Sequence, residues 1–247
     1  MTEPRSGSPS RMDSLHSFPR VATRTRLSAT TEAIRHYVLD GLIPTGGRLK
    51  DHELAGALGV SRATVREAVR QLVHEGILIH EPYKGLRVAG LDDQGWMDLA
   101  EVRAALEIPA ARRLANGFSP DVEAQLETGL QGIVQARASG SIAEQNHAHI
   151  EFHALIQHLA GNPILEQTWG VIEKRARVML RIDYETRPDI DRVATHAQLI
   201  AAMKTGDPDI VARAVNEHVI GTARAQIQAR HAMFGDPSAT ASDGKPG

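Results

Sequence analysis

The segment between Asp51 and Gly76 constrains the fold more than any other part of this 247-residue chain. Asp51 is a candidate N-cap for a short helix that ends at Gly59, and Ser61 is a candidate N-cap for the next helix. Apolar residues of the second helix follow the i, i+3, i+4, i+7 spacing of a buried stripe: Val65, Ala68, Val69 and Leu72. Two short helices joined at a glycine turn are typical of a helix-turn-helix.

The flanking residues complete this unit. Upstream, Ser28 or Thr30 is a candidate cap for a helix that ends at Gly41. Downstream, residues 77–81 and 86–89 alternate like two short strands around the turn PYKG. Residues 27–90 are therefore predicted to form a winged helix-turn-helix domain.

The charge distribution favours a polyanionic partner for this domain. The net charge of the chain is −2, but residues 1–90 carry 13 Lys/Arg against 9 Asp/Glu, whereas residues 91–247 carry 15 against 21. Outside the buried stripe, Arg62, Arg66 and Arg70 recur every four residues and form one basic edge. Such an edge fits a DNA-reading helix, and the alternative is a solvated helix face whose arginines pair with Glu67 and other acids.

These residues carry a resemblance to a known family. The run GRLKDHELAGALGVSRATVREAVRQLVHEGIL, followed by PYKG, resembles the DNA-binding domain of the GntR family of bacterial transcription regulators. The resemblance implies double-stranded operator DNA as a partner. The family's DNA-contacting positions fall on Ser61, Arg62, Thr64 and Arg66 in the recognition helix and on Lys84 and Gly85 in the wing.

The remainder of the chain has a helical pattern. Predicted helices cover residues 92–116, 120–138, 141–160, 163–185, 189–205 and 208–231, with Gly, Asn or Pro at the breaks. The fold class is therefore mainly α, with an all-α helical bundle over residues 91–232. Residues 1–26 are predicted to be a disordered basic arm, and residues 233–247 a disordered tail.

Composition excludes several classes of protein. The absence of cysteine removes disulfides, thiolate metal sites and cysteine nucleophiles. We expect a cytoplasmic protein without a membrane segment, because no apolar run approaches the ~20 residues that a membrane helix needs. We also expect no enzyme, since the chain has no G-x-S-x-G, P-loop or G-x-G-x-x-G motif.

Four histidines are predicted to face the interior of the helical bundle: His149, His153, His196 and His218. A single histidine on an apolar helix face is usually a hydrogen-bonded core residue. Four of them would need four separate buried partners, whereas one divalent metal satisfies all four. A metal-dependent hydrolase is the alternative for HIEFH, but Glu151 does not directly follow the first histidine. A structural nucleoid protein is a third alternative, and it would need no polar pocket.

A second resemblance bears on the histidines. The runs EVRAALEIPAARRLA, HIEFHALIQHLAGNPIL and THAQLIAAMKTGDPDIVARAVNEHV resemble the ligand-binding domain of the FadR subfamily in its metal-containing FCD form. That form has Asp-x-x-x-His and two later histidines, which implies His153, His196 and His218 as ligands. His149 stands at the Asp position. It either joins the other three, turns away, or marks a site that has been lost.

Four nitrogen ligands favour zinc, with nickel or copper as alternatives, over magnesium and calcium. The resemblance also places Arg103 near the pocket, where it would bind the carboxylate of a small effector. A salt bridge to Glu107, one turn further on, is the alternative. Arg175, Arg177 and Arg181 are weaker candidates for the same role.

Together these observations predict an effector-responsive transcription regulator, a repressor rather than an activator. We expect a homodimer, because one small domain buries too little DNA surface for nanomolar affinity.

Overall fold

The computed structural model describes residues 26–234. The N-terminal module consists of α1 (Arg26–Leu39), α2 (Asp51–Leu58), α3 (Arg62–His74), β1 (Leu78–Glu81) and β2 (Gly85–Val88). The two strands pair antiparallel, with Leu78 opposite Val88 and Glu81 opposite Gly85. This arrangement of three helices and a hairpin confirms the winged helix-turn-helix architecture.

The predicted start of two helices was wrong. Helix α2 begins at Asp51 itself, and its N-cap is Lys50, which makes no side-chain capping bond. Helix α1 begins at Arg26, so Ser28 and Thr30 lie inside it, and the Thr30 hydroxyl donates to the Arg26 carbonyl at 2.7 Å. A side chain that can cap can also bond backward along a helix, and sequence alone does not distinguish the two.

The helical module contains α4 (Asp93–Asn116), α5 (Pro120–Ser139), α6 (Ile142–Leu159), α7 (Pro163–Thr186), α8 (Arg192–Lys204), α9 (Pro208–Asn216) and α10 (Thr222–Phe234). The mainly α fold class is confirmed. The predicted helix 189–205 starts later, at Arg192, and the predicted single helix 208–231 contains a π-helical turn, Glu217–Gly221. The predicted arm and tail lie outside the described residues, except that α1 includes Arg26 and α10 continues to Phe234.

Helix α4 organises the helical module, since it contacts α6, α7, α8, α9, α10 and the π-helical turn. The main core lies among α4, α5, α6, α8 and α9 and includes Leu126, Phe152, Ile156 and Met203, all almost fully buried. Because α6 and α8 both pack against α4, their inward-facing residues lie close to one another. No helix within residues 26–234 is long and apolar enough to cross a membrane.

Helix α7 joins the two modules. Its Arg175 guanidinium lies against Gly76, and the Arg175 Nε donates to the Glu75 carbonyl at 3.3 Å. The Lys174 Nζ lies 3.5 Å from the Glu75 Oε2. Glu75 caps the C-terminus of α3, so α7 contacts the end of the helix that carries the basic edge.

Candidate functional site

The N-terminus of α3 has the geometry expected of a recognition helix. Ser61 adopts an extended backbone (φ −70°, ψ 150°), and its Oγ accepts a hydrogen bond from the Thr64 amide at 3.1 Å. The Ser61 and Thr64 hydroxyl oxygens also lie 2.8 Å apart. This cap fixes the first turn while the remaining free amides stay available to an anion such as a DNA phosphate.

The exposed edge of α3 is basic, as the sequence predicts. Arg62, Arg66 and Arg70 are exposed on the side opposite the buried stripe. Arg70 forms an ion pair with Glu67. For this residue the structure therefore matches the alternative of a solvated helix face. Within residues 26–234, Arg62 and Arg66 form no ion pair with a carboxylate, so two guanidinium groups remain free for an external partner.

The wing adds a residue that sequence reasoning missed. Lys84 is exposed at the hairpin tip, 3.3 Å from the Glu81 Oε2, and Gly85 has a positive φ of 83°. Between Pro82 and Lys84, Tyr83 has a φ of 63° and a fully exposed side chain. A bulky residue in the left-handed region is uncommon and is often found at functional sites. An aromatic residue between Pro and Lys in a predicted turn was the signal that could have revealed it.

The four histidines converge inside the helical module. His149 and His153 lie one turn apart on α6, His196 lies on α8, and His218 lies in the π-helical turn. Each offers a ring nitrogen, and these four nitrogens lie within 4.8 Å of one another. The first three residues are buried and His218 is half-buried. Ligand nitrogens of a tetrahedral zinc site lie roughly 3.4 Å apart, so the cluster is close to that spacing.

The outer nitrogens of the His149 and His196 rings have protein partners. The His196 Nδ1 donates to the Arg192 carbonyl at 2.6 Å. The His149 Nδ1 lies 3.3 Å from the Tyr184 hydroxyl, which itself donates to the Gln145 carbonyl and therefore accepts from the histidine. These contacts place the proton on Nδ1 and leave the lone pair of Nε2 facing the cluster.

The inner nitrogens lack such partners. Nε2 of His149 and of His196 is buried and has no hydrogen-bond partner within the described part of the chain. The Nε2 atoms of His153 and His218 lie 3.2 Å apart. Burial, reinforced by the neighbouring imidazoles, lowers the pKa of His149 and His218 well below 6.5 and that of His196 to about 3. Neutral imidazoles whose inner nitrogens have no protein partner, as at His149 and His196, fit a bound divalent cation.

A buried carboxylate, that of Glu107, contacts the outer nitrogen of His153. The Glu107 Oε2 lies 2.8 Å from the His153 Nδ1, and the Arg103 Nε donates to the Glu107 Oε1 at 3.0 Å. Burial opposes the charged form of Glu107, but His153 and Arg103 outweigh it and lower the pKa of this carboxyl to about 2. Arg103 therefore forms the salt bridge to Glu107 that the sequence analysis gave as the alternative. The same residue also lines the adjoining cavity, so it lies where the effector role requires it.

That cavity has a volume of about 390 Å³ and is open to His149 and His218. Its charged lining residues are Arg103, Asp183, Arg187, Arg192 and Glu217. Arg192 is buried, and its Nη2 lies 2.7 Å from the Asp183 Oδ2. Sequence analysis missed Arg187 and Arg192, and the weaker candidates Arg175, Arg177 and Arg181 do not line this cavity. The α7 candidates were wrong because the sequence does not determine which face of α7 points inward. Arg192 was missed because α8 starts later than predicted.

The position of Glu151 weighs against the hydrolase alternative. Its side chain is exposed and lies 3.6 Å from the His147 Nδ1 and 3.5 Å from Arg177 on the outer surface. It therefore cannot act as a general base on a water molecule held among the four histidines.

Comparison with known families agrees with both halves of this structure. Residues 28–88 match the family of bacterial regulatory proteins, gntR family, and residues 98–221 match the FCD domain. The chain belongs to the GntR family and carries an FCD domain. Regulators of the GntR family bind operator DNA and act as dimers. The regulator's three cluster-bearing segments (α6, α8 and the π-helical turn) all lie within the FCD match.

Individual relatives of this GntR regulator are also transcription regulators. It is 28% identical over 204 residues to the "Probable D-xylose utilization operon transcriptional repressor" of Paenarthrobacter nicotinovorans, covering 80% of this chain and 90% of the relative. It is 25% identical to the transcriptional repressor RspR of Escherichia coli K12, over 75% and 82% of the two chains.

Solved structures share the fold of this GntR regulator. A GntR regulator from Rhodococcus sp. RHA1 superposes with a TM-score of 0.71 at 20% identity, covering 83% of this chain and 99% of the other. Escherichia coli McbR superposes with a TM-score of 0.66 at 22% identity, with the same coverage.

Proposed function

We propose that this chain is a repressor that binds operator DNA as a homodimer and is controlled by a small carboxylate bound beside a divalent metal. The observation that carries the proposal is the pairing of two sites in one chain: a capped helix with two unpaired arginines, and four converging histidines, three of them buried. The repressor activity reported in the names of two relatives supports the direction of control.

Operator binding is assigned to Ser61, Arg62, Thr64 and Arg66 on α3 and to Lys84 and Gly85 in the wing. A dimer is included because two half-sites related by a two-fold axis supply the contact area that one winged helix lacks.

DNA fragments selected in vitro by the wild-type protein provide the operator for the test. Arg62→Ala or Arg66→Ala should each cost about 1–3 kcal/mol of specific binding per half-site, because a guanine or phosphate contact is lost. Arg70→Ala is the matched control on the same edge, since its guanidinium is already paired with Glu67. Wild-type affinity in both Arg62→Ala and Arg66→Ala would refute the assignment.

The metal site is assigned to His149, His153, His196 and His218. Neutral nitrogen ligands favour zinc, with nickel as the alternative, and a bound divalent cation would supply a positive centre that attracts an anionic effector. The protein's own part is to orient the rings through Glu107, Tyr184 and the Arg192 carbonyl.

Metal analysis of the purified protein tests this assignment. We expect about one divalent ion per chain and a lower melting temperature after chelation. His149→Asp should retain the metal and His196→Ala should lose it, whereas His147→Ala, on the exposed side of α6, is the matched control. Metal-free protein whose melting does not respond to zinc or nickel would refute the site.

The effector is assigned to the 390 Å³ cavity. Arg103 already holds Glu107, so an effector carboxylate would share its guanidinium while also approaching the metal. Coupling between effector and operator is expected to change DNA affinity about 5- to 150-fold. Organic acids are first screened by thermal shift and then by DNA binding. Acids that bind the protein through Arg103 and leave DNA affinity unchanged would refute the control mechanism.

A further inference from the structure

A second cavity lies between the two modules. It has a volume of about 430 Å³, within the range of about 300–1,000 Å³ of natural small-molecule pockets. The C-terminal end of α3, strand β1 and the segment that follows β2 form one side, and α4 and α7 form the other. It shares no lining residue with the histidine cavity. Leu180 and Asp183 of α7 line the histidine cavity, whereas Val178, Met179 and Ile182 line this one, so different faces of α7 bound the two.

The chemistry of this second cavity is apolar with one cationic group. Leu78, Ile79, Val178, Met179 and Ile182 contribute hydrocarbon surface. Among its lining residues there is no carboxylate, and the charged side chain is that of Arg175. Within residues 26–234, Arg175 forms no ion pair, and only its Nε is hydrogen-bonded, to the Glu75 carbonyl. A cation at the edge of an apolar cavity without a carboxylate favours an anionic ligand.

One buried polar group also lacks a partner here. Trp96 lines the cavity and is 2% exposed, and its indole Nε1 has no hydrogen-bond acceptor among the described residues. A buried donor without an acceptor costs free energy unless a bound molecule or water supplies one.

We propose that this inter-module cavity binds a small apolar monocarboxylate, with the carboxylate on Arg175 and the hydrocarbon part beside Trp96. The site is separate from the histidine cavity. Its consequence for DNA binding rests on the proposed function. A ligand carboxylate would compete with the Glu75 carbonyl for Arg175, and so would loosen the contact between α7 and the end of α3.

Gly76 allows the Arg175 side chain of α7 to lie close against the backbone at the end of α3. It has a φ of 72°, and the Arg175 guanidinium occupies the space that a side chain at residue 76 would need. The end of α3 is thus held on α7 through the Arg175 guanidinium, with no side chain of residue 76 between them. Displacing Arg175 is expected to change the orientation of the recognition helix relative to the helical module.

Calorimetric titration of the full-length protein with 2-naphthoate tests the site. We expect one naphthoate per chain. The neutral analogue 2-naphthalenemethanol should bind about 10- to 100-fold more weakly, because it lacks the charge-assisted bonds to Arg175. Arg175→Gln should abolish this preference, and Ile182→Trp should weaken both compounds by filling the cavity. Gln198→Trp, which fills part of the other cavity at a residue outside both assigned sites, is the matched control and should bind naphthoate like the wild type.

A spectroscopic measurement locates the ligand independently. The chain has two tryptophans, so its amide-correlation NMR spectrum contains two indole signals, and Trp169→Phe identifies the signal of Trp96. Naphthoate should shift the Trp96 signal and leave that of Trp169 in place. Absence of binding, unchanged preference in Arg175→Gln, or loss of binding only in Gln198→Trp would each overturn the site.

The regulatory consequence has its own measurement. Naphthoate should lower the affinity of the wild type for selected DNA, and Arg175→Gln should not respond. Naphthoate binding without any effect on DNA affinity would overturn the coupling and leave the site intact. A chain that binds naphthoate but selects no DNA would refute the proposed function and not the site.

Discussion

Replacement of Tyr83 at the wing tip should change stability and DNA affinity in opposite directions. Its backbone lies in the left-handed region at φ 63°, and its side chain is 108% exposed. Left-handed backbone costs an L-residue with a β-carbon roughly 1–2 kcal/mol, and Asn tolerates that region better than Tyr. Because the ring is fully exposed, its removal forfeits no buried surface.

Tyr83→Asn should therefore raise the free energy of unfolding by up to about 1 kcal/mol. Tyr83→Gly should gain less, since glycine adds roughly 0.5–1 kcal/mol of backbone entropy to the unfolded state. Urea titration of both variants measures these changes. Tyr83→Phe is the control, because it keeps the ring and the strain.

For DNA affinity we expect the opposite effect, a loss when Tyr83 is replaced by Asn. An exposed aromatic side chain beside Lys84 is placed to stack or wedge in a groove, where such contacts are worth about 1–3 kcal/mol. Tyr83→Asn should thus bind selected DNA at least about 5-fold more weakly, whereas Tyr83→Phe should bind like the wild type. A variant Tyr83→Asn that is less stable, or that binds DNA unchanged, would refute this reasoning.

Two further predictions concern the histidine cluster. In metal-free protein, a change from about pH 7 to about pH 5.5 should lower the free energy of unfolding by about 1 kcal/mol for each of His149, His196 and His218. The unfolded chain takes up protons near a pKa of 6.5, whereas the folded imidazoles have pKa values lowered by burial and stay neutral, so stability is lost as the pH falls below 6.5. Urea titrations at both pH values check this, and a His149→Gln variant with the full wild-type loss would contradict it. Glu107→Gln should weaken metal affinity about 10- to 100-fold, because the His153 ring loses its carboxylate partner, and competition with a chelator dye measures the change.

Local patterns in the sequence were sufficient for the helix-turn-helix and the wing of the N-terminal module, although not for the starts of α1 and α2. The stripe of α3, the turn at Gly59 and the cap at Ser61 involve residues within a few positions of one another. The same holds for the inward face of α6, whose two histidines are one turn apart. Helical period and capping chemistry determine such features almost without tertiary information.

Long-range pairings could not be predicted in this way. The ion pair between Arg192 and Asp183 depends on where α8 starts after the turn at Pro188, and three residues of error change which side chain faces inward. Arg175 was one of the weaker candidates for effector binding, but it contacts the N-terminal module instead. The face of α7 that points inward is determined by the elements packed against it, and three of these, α1, α4 and α10, are distant from it in sequence.

The π-helical turn Glu217–Gly221 makes the helical module intolerant of a change in chain length. Removing one residue there, such as Ile220, would restore ordinary α-helical hydrogen bonding, but it would also rotate α10 by about 100° and draw it back by about 1.5 Å. Gln226 would leave Thr186, and His231 would leave its place on α4. Point substitutions can therefore change this region gradually during evolution. In contrast, deletion of any one of the five residues Glu217–Gly221 would displace both His218 and α10 at once.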